Sequence, residues 1–568
     1  MSVEVMHGAK NQAGVSGRYR LTAYFLMSSL VAMALWPLLS SGYYSDDLIH
    51  STLRGQLELQ NKSLLNHIVE ENRYWIVDNG RFFPVATLMV LPVSYLFSNL
   101  LLHKIFILLQ VIVNVLLFSR FVENLTKDFF AGYIASLFLP ILFQFRLFHD
   151  PILSFSGMMQ SFMTITLLSL ILCQKHHDRD QPRYLAASVF LYNLTLYFYE
   201  ISVPFVLLFL ILTIGRRPVT LRQVVRQLLP YMVSTAFALA VMAITRHLRD
   251  PATAGYEGIT LHLEAGSIFK TLIIQISAAF PLNYYLFDPA HLFSGVGIGR
   301  PGLHEIMTVA GFASAYWYTS RRMAHIDTIT TVLVGTTLLF FPALLVSLSL
   351  KYQKALSFGI GYLPVYVGYF GVAMLAVAML AQWQRRFPAK YRQIFHMVLC
   401  AALSLCLLIT LLNNRAVVAK ANIDVHYRRA ALVKALQENI LQSVPENANL
   451  LILDEYAYDP QPAVRSDLRG WAETGYPWKN AALVYQFARK RLQVMTETNE
   501  LRKFTAKSDL PDIYLLEIKS YPGKMRIEEG YLLLSKINQV MLDSTGNVGF
   551  QARPLGANYP ARGTEGPN

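Results

Sequence analysis

Apolar runs of bilayer length recur along the chain from residue 22 to residue 412, separated by short polar stretches that hold many of the Lys and Arg residues. A helix needs about twenty predominantly apolar residues to cross the hydrocarbon core. The runs at 22–41, 327–348, 358–381 and 392–412 have that length, and the stretch 84–119 has apolar length for two. After Asn413 the pattern changes. "YRRAALVKALQENILQSVPENANLLILDE" is a helical period followed by a Pro/Asn turn and a short β-rich run. "DIYLLEIKSYPG" and "EEGYLLLSKINQVML" continue this helix-or-strand mixture. The expected fold is therefore an α-helical polytopic membrane protein with a small C-terminal α/β domain. The membrane part is placed at 22–412 and the domain at 413–553. The last residues, 554–568, are rich in Gly, Pro and Ala and are expected to be disordered. There is no internal repeat with a period of 20–50 residues.

Composition agrees with this pattern. Of 568 residues 54% are hydrophobic and only 15% charged, with a mean hydropathy of +0.36. The formal net charge is +14, which could point to nucleic acid, but the cations cluster between apolar runs. There they encode orientation, because cytoplasmic loops retain Lys and Arg. With 1–21 inside, "KHHDRDQPR", "GRRPVTLRQVVR", "SRRMAH" and "QRRFPAKYR" also fall inside. The segments 42–83 and 247–302 then become outer loops, and the tail after 413 is extracytoplasmic. The 84–119 stretch is expected to make one net crossing as a broken or re-entrant pair, and 267–287 to lie along the interface. About eleven crossings result. The first run is too long for the core of a secretory signal and is read as an uncleaved span. Cys173, Cys400 and Cys406 lie in apolar segments without paired or metal-ligand spacing.

This threading gathers ionisable residues on the outer side, where charges at span edges are costly and often functional. "GYYSDDLIHS" supplies Asp46 and Asp47, and "DNGRFFPV" supplies Arg81. "FRLFHDP" supplies Arg146, His149 and Asp150, "LYFYEISVP" supplies Glu200, and "SLKYQKALS" supplies Lys351 and Lys354. Each also has a structural reading. Adjacent aspartates suit a solvated helix start, Arg and Lys can anchor at headgroups, and His149 can be a packed histidine. Glu200 sits in apolar context without a basic residue one helical turn away, which leaves a structural hydrogen bond as its alternative. The acid pair gains chemical meaning if a hydroxyl must be activated, since a positioned carboxylate can take its proton. Neighbours on a helix point about 100° apart, so Asp46 and Asp47 cannot share one task. One would act as base; the other would hold the acceptor, an arginine or a metal. Arg81, Lys351 and Lys354 would suit a leaving phosphate. Tyr44, Tyr199, Tyr352 and Tyr362 can stack on a sugar or belong to the interfacial aromatic belt.

These features resemble the GT-C glycosyltransferases, integral membrane enzymes that use polyprenyl-phosphate-linked sugars. The carriers of the likeness are "YYSDDLIHSTLRG" after the first span, "NGRFFPV", Tyr199–Glu200 followed by Pro204, and "KYQKA" with "GYLPVY". The first two are similar to stretches of bacterial O-antigen-modifying glucosyltransferases. In architecture the resemblance spans residues 20–412, while its motifs cover some tens of residues. It implies Asp46 as the catalytic base and Asp47 as its supporting acid. It also implies Arg81 as a contact to acceptor or donor phosphate, and Lys351 and Lys354 as phosphate ligands. Many relatives carry arginine in that late loop; lysine is a point charge rather than a fork. The implied reaction inverts the anomeric centre by direct displacement; some members, notably the oligosaccharyltransferases, need a divalent cation, and many lipid-phosphate-sugar users need none. No His-rich ligand set is present, so no metal is expected.

The resulting expectation is a glycosyltransferase of the bacterial inner membrane. It would move a sugar from a polyprenyl-phosphate donor to a periplasmic glycan or lipid, with membrane lipids as partners and no nucleic acid. An O-antigen polymerase or ligase would concentrate arginines in a large outer loop, and 247–302 is only modestly basic. A transporter or flippase would show two similar halves with interrupted midplane spans, and none are apparent. A scaffold would leave Asp46 and Glu200 unexplained. Asp46, Arg81, Glu200 and Lys351 are expected to line one outward cavity, and Arg146, His149, Asp150, Tyr199, Tyr352 and Tyr362 to contact the donor phosphate or substrate.

Overall fold

Side-chain caps fix a few of the helix starts. Ser16 accepts the Tyr19 N–H at the start of Gly17–Ala34, and Asp128 accepts the Phe130 N–H at the start of Phe129–Leu142. Thr220 and Gln223 form a reciprocal capping box before Leu221–His247, and Asp327 takes the N–H groups of Ile329 and Thr330 before Thr328–Ser347. The computed structural model describes residues 16–146, 150–215, 220–250, 255–287, 299–323, 326–422, 426–454, 477–495, 498–504, 512–520, 530–542, 548–555 and 559–561. The chain divides into two units: Met1–Leu39, Val69–Val90 and Lys104–Val417 in one; Ser40–Ile68, Leu91–His103 and Val418–Asn568 in the other.

The first unit is helical. Six helices among the described residues are long and apolar enough to cross a membrane: Leu100–Thr126, Phe155–Arg179, Leu221–His247, Thr328–Ser347, Val365–Arg386 and Lys390–Ala421. Four shorter apolar helices, Pro84–Leu96, Phe129–Leu142, Glu200–Ile214 and Ala265–Ser277, stand beside these six. The stretch expected to hold a broken pair is one 13-residue helix with Pro92 inside it, followed by one of 27 residues. Thr328–Ser347 and Val365–Arg386 meet at Gly335 and Gly371. A Cβ on Gly371 would stand 2.7 Å from the Gly335 carbonyl oxygen, and one on Gly335 would stand 3.0 Å from that of Gly371. Small residues at this crossing let the two backbones touch. The Ala389–Ala421 helix runs straight through residue 413, where the sequence reading ended the membrane part. Asn414 does not break it. Its side chain leaves the helix face to accept the Phe145 N–H at 2.7 Å and to donate to the Phe143 carbonyl at 2.8 Å, closing the end of Phe129–Leu142.

The second unit contains an α/β sheet. Strands β1 (Asn449–Asp454), β2 (Gln493–Met495), β3 (Ile513–Ser520), β4 (Gly530–Leu542), β5 (Val548–Pro554) and β6 (Tyr559–Ala561) run in the order β2-β1-β3-β4-β5, with β6 also on β4. β1 is parallel to β2 and β3, whereas β3 and β5 flank β4 antiparallel. Alternation along the strands divides the core between two faces. Leu450, Tyr514 and Leu516 pack with the Tyr427–Gln437 and Pro477–Ala488 helices. Leu451, Ile513 and Leu515 pack with Leu501 and Phe504 on the other face. Part of the tail expected to be disordered is a strand: β6 pairs with Gly530–Leu532, supplying hydrogen bonds that composition alone does not reveal. Residues 562–568 lie outside the described set.

The segment expected as the first outer loop is divided: its residues up to Ile68 fall in this unit and those from Val69 in the first. It is built of the helices Asp46–His50, Leu53–Leu59 and Leu64–Arg73. Leu53, Leu57, Ile68 and Leu91 form a small core. The Leu53–Leu59 helix lies on Pro477–Ala488, with the Gly55 N–H donating to Gln486 Oε1 at 3.2 Å and Arg489 paired with Glu58. A Cβ on Gly55 would come within 2.3 Å of the Ala482 carbonyl oxygen. Gly55→Ala is therefore expected to lower stability by about 1–3 kcal/mol through forced separation of the two helices. A thermal unfolding midpoint in detergent indistinguishable from that of the unsubstituted chain would refute this close packing.

Candidate functional site

The acid pair begins a helix after a strained turn. Ser45 has φ +52° and ψ −128°, a conformation costly for a residue with a side chain, and Asp46 and Asp47 form the first turn of Asp46–His50. The two carboxylates have different surroundings. Asp47 is 1% exposed, with Oδ2 3.2 Å from Nε2 of the equally buried His103. Asp46 is half-buried. The His103 ring meets Tyr43 edge-on at 5.5 Å, and the Tyr43 hydroxyl donates to the Ser98 carbonyl at 2.9 Å. Burial pushes the Tyr43 pKa up to about 12, with the Arg429 charge opposing and the Asp47 charge adding. Just before it, the Gly42 N–H donates to Asn422 Oδ1 and Asn422 Nδ2 donates to the Ser40 carbonyl. His103 was missed in the sequence. Its signal was an ionisable residue at the head of the apolar run "LLLHKIFILL".

The first unit gathers a second group of the expected residues. Arg81 forms a fork with Glu200, Nε to Oε1 at 2.7 Å and Nη2 to Oε2 at 2.8 Å, with side chains 12% and 24% exposed. The guanidinium lies 4.3 Å from the ring centre of Phe83, 5.3 Å from Tyr256, 5.4 Å from Tyr199 and 5.9 Å from Trp75. Burial opposes the Arg81 charge, but Glu200 outweighs it and lifts the pKa well above its ordinary value. The Tyr256 hydroxyl is 2.9 Å from that of Tyr352, whose ring lies 4.1 Å from the Tyr362 ring. Lys351 Nζ stands 4.8 Å from the Tyr256 ring centre. The turn that carries Arg81 is closed by its N–H to the Trp75 carbonyl and by Gly80 at φ +66°. A Cβ on Gly80 would lie 3.2 Å from the Arg249 side chain. The Val77 and Asn79 carbonyls accept the Asp250 and Tyr256 N–H groups, which brings the Tyr256 ring to Arg81. The sequence named Arg81, Glu200 and Lys351 but neither Arg249 and Tyr256 nor the pairing, because Arg81 and Glu200 are 119 positions apart.

The remaining candidates fall elsewhere. Lys354 is exposed on the Leu350–Ala355 helix, and Tyr44 is buried in the second unit. His149 lies outside the described residues. Arg146 and Asp150, expected at a substrate surface, are both 0% exposed. Asp150 Oδ1 accepts the Ile152 and Leu153 N–H groups and Oδ2 accepts the Arg146 N–H. Arg146 Nη2 donates to the Ala278 carbonyl at 2.6 Å. Asp150 thereby satisfies backbone donors of Arg146, Ile152 and Leu153, as an aspartate between helices can. Burial pushes the Asp150 carboxyl up to about 6, against the backbone N–H of Leu153 and the Arg146 charge. Among the described residues no group of three or more His, Cys, Asp or Glu side chains is placed to hold a metal ion.

Two tests follow from these charges. Glu200→Gln leaves the Arg81 cation among rings without its carboxylate and is expected to cost on the order of 3 kcal/mol. Arg81→Met combined with Glu200→Gln should cost less than the single change, and additive losses in thermal unfolding would contradict the pairing. For Asp150, the folded pKa stands above the unfolded value of about 3.9, so the folded state holds the extra proton between about pH 4 and 6. The contribution is full below about pH 4 and is lost as pH rises through about 6. Relative to Asp150→Asn, the unsubstituted chain should lose thermal stability across that window. A difference constant with pH would exclude the shift.

No known family matches the chain, and no curated protein does. Solved structures that resemble it include the crystal structures of ArnT from Cupriavidus metallidurans bound to undecaprenyl phosphate and in the apo state. Both align over 87% of this chain and 92% of the other at 10% identity, with TM-scores of 0.38 and 0.36. At those scores the likeness decides neither fold nor activity.

Proposed function

We propose that this chain is an integral membrane glycosyltransferase that moves a sugar from a polyprenyl-phosphate donor to a hydroxyl of a glycan or lipid. The observation that carries the reading is the division of labour in the acid pair. Asp47 is buried and held by His103, while Asp46 is half-buried beside it on the same helix turn. A fixed acid next to a more accessible one suits a base that must meet an incoming hydroxyl. In this reaction the acceptor oxygen attacks the anomeric carbon and its proton passes to Asp46. The bond from that carbon to the phosphate oxygen breaks, and polyprenyl phosphate leaves with the electron pair. Direct displacement inverts the anomeric centre.

The aromatic group takes a different role from the one the sequence suggested. With Arg81 neutralised by Glu200, the pair is a poor ligand for a phosphate dianion. Flat rings with a carboxylate acceptor are better suited to the faces and hydroxyls of a sugar. Lys351, with Nζ 4.8 Å from the Tyr256 ring centre, is a cation suited to phosphate at its edge. We place the protein in the bacterial inner membrane, with this chemistry on the periplasmic side. The support is the distribution of Lys and Arg between apolar runs.

The test uses the purified full chain with undecaprenyl-phosphate-linked sugars and a glycan acceptor. Asp46→Asn should reduce transfer about 10²–10⁴-fold while donor binding persists. Retained transfer would remove Asp46 as base. Absence of transfer with any lipid-linked donor, together with movement of lipid or solute across a vesicle membrane, would replace the enzyme reading with transport.

A further inference from the structure

Arg429 is the third residue of the Tyr427–Gln437 helix, in the unit that also holds the acid pair. Its guanidinium carbon is 5.5 Å from the centre of the Tyr43 ring. The same ring meets His103, which pairs with Asp47. The placement is set by close packing: a Cβ on Gly42 would stand 2.4 Å from the His426 side chain. The Gly42 and Ser40 backbones are also hydrogen-bonded to Asn422. A cation from the C-terminal domain is thereby fixed beside the support of the acid pair.

The surroundings of this cation differ from those of three other arginines. Arg20, Arg81 and Arg415 are matched with Glu123, Glu200 and Glu305. Among the described residues, no carboxylate pairs with Arg429; its neighbour is the Tyr43 phenol. Burial lowers its pKa to about 10, with the Tyr43 phenol acting in the opposite direction, so it remains charged at neutral pH. A guanidinium withdrawn from water without an anion is unfavourable, because the lost hydration is not replaced. Arg429 is half-buried rather than sealed, so part of the residue is open to solvent. A guanidinium fork matches phosphate oxygens two at a time.

We propose that Arg429 binds the phosphate of a lipid-linked phosphate, so that the C-terminal domain supplies an anion site next to the acid pair. The inference rests on the glycosyltransferase reading for the identity of the lipid carrier, but the residue is chosen by the geometry around Tyr43. Other anionic headgroups share this chemistry, and the experiment separates them.

The test measures binding to the full chain in detergent, with undecaprenyl phosphate, phosphatidylglycerol and inorganic phosphate as separate ligands. Arg429→Ala is expected to weaken undecaprenyl phosphate at least about tenfold, which is about 1.4 kcal/mol, with Arg429→Lys intermediate and phosphatidylglycerol unaffected. If the alanine variant does not fold, Arg429→Gln removes the charge while keeping most of the side chain's bulk. Undecaprenyl phosphate bound as tightly by a folded charge-removing variant as by the unsubstituted chain overturns the proposal and leaves the glycosyltransferase reading standing. Equal loss of phosphatidylglycerol or inorganic phosphate overturns it in favour of a general anion contact. Failure of the unsubstituted chain to bind undecaprenyl phosphate at all overturns both.

Discussion

Two opposite charges held together among aromatic rings form the constraint on which the first unit's candidate site depends. Arg81 and Glu200 satisfy each other through two short hydrogen bonds, and only as a pair can they occupy the space between Phe83, Tyr199, Tyr256 and Trp75. The pair also ties three separate pieces of chain together. The turn before Pro84–Leu96 carries the arginine, the start of Glu200–Phe205 carries the carboxylate, and Tyr256 links both to the Leu350–Ala355 helix through Tyr352. Rings that would otherwise pack on aliphatic neighbours are held around a salt bridge, where their negative faces contribute cation–π attraction.

The same rule, that a charge removed from water must find a partner, sorts the remaining ionisable residues. Asp47 has His103. Asp150 has three backbone donors and becomes part of a turn. Arg429 meets a phenol instead of an acid. Satisfied charges read as architecture, and Arg429, which meets a ring in place of an acid, reads as a place for something from outside. Asp46 stands between these cases: its helix position is fixed by its neighbour's anchoring, yet it is not sealed in.

Much of the helical part was legible because it rests on local pattern. Apolar length marks Leu100–Thr126 or Val365–Arg386 wherever they pack, and the short β-rich apolar run "NLLILD" marks β1. The acid pair and Glu200 were also visible, since a carboxylate in apolar sequence is costly anywhere. What could not be read was partnership. Asp47 and His103 are 56 positions apart, and nothing local in either stretch names the other. Arg146 and Asp150 were misplaced for a similar reason. Their loop composition suggests a surface, but the depth at which the turn sits is a property of the surrounding helices. The last apolar run was ended at residue 412, just before two asparagines whose amides can bond to backbone groups. Here Asn414 directs that capacity at another segment, and its own helix continues.

Gly55 has a consequence for the order in which the molecule is made. Its backbone meets Ala482 and Gln486, 431 positions later for the hydrogen bond to Gln486, so the acid loop is completed by the far end of the chain. A nascent chain exposes Asp46 and Asp47 early, yet the helix that supports their neighbourhood emerges only after every apolar run has been synthesised. Contacts of such separation form last, because the intervening loop must be closed before they contribute anything. The acid pair therefore gains its full surroundings only in a finished chain. A product arrested before the C-terminal domain would carry the carboxylates without the helix they were folded to meet.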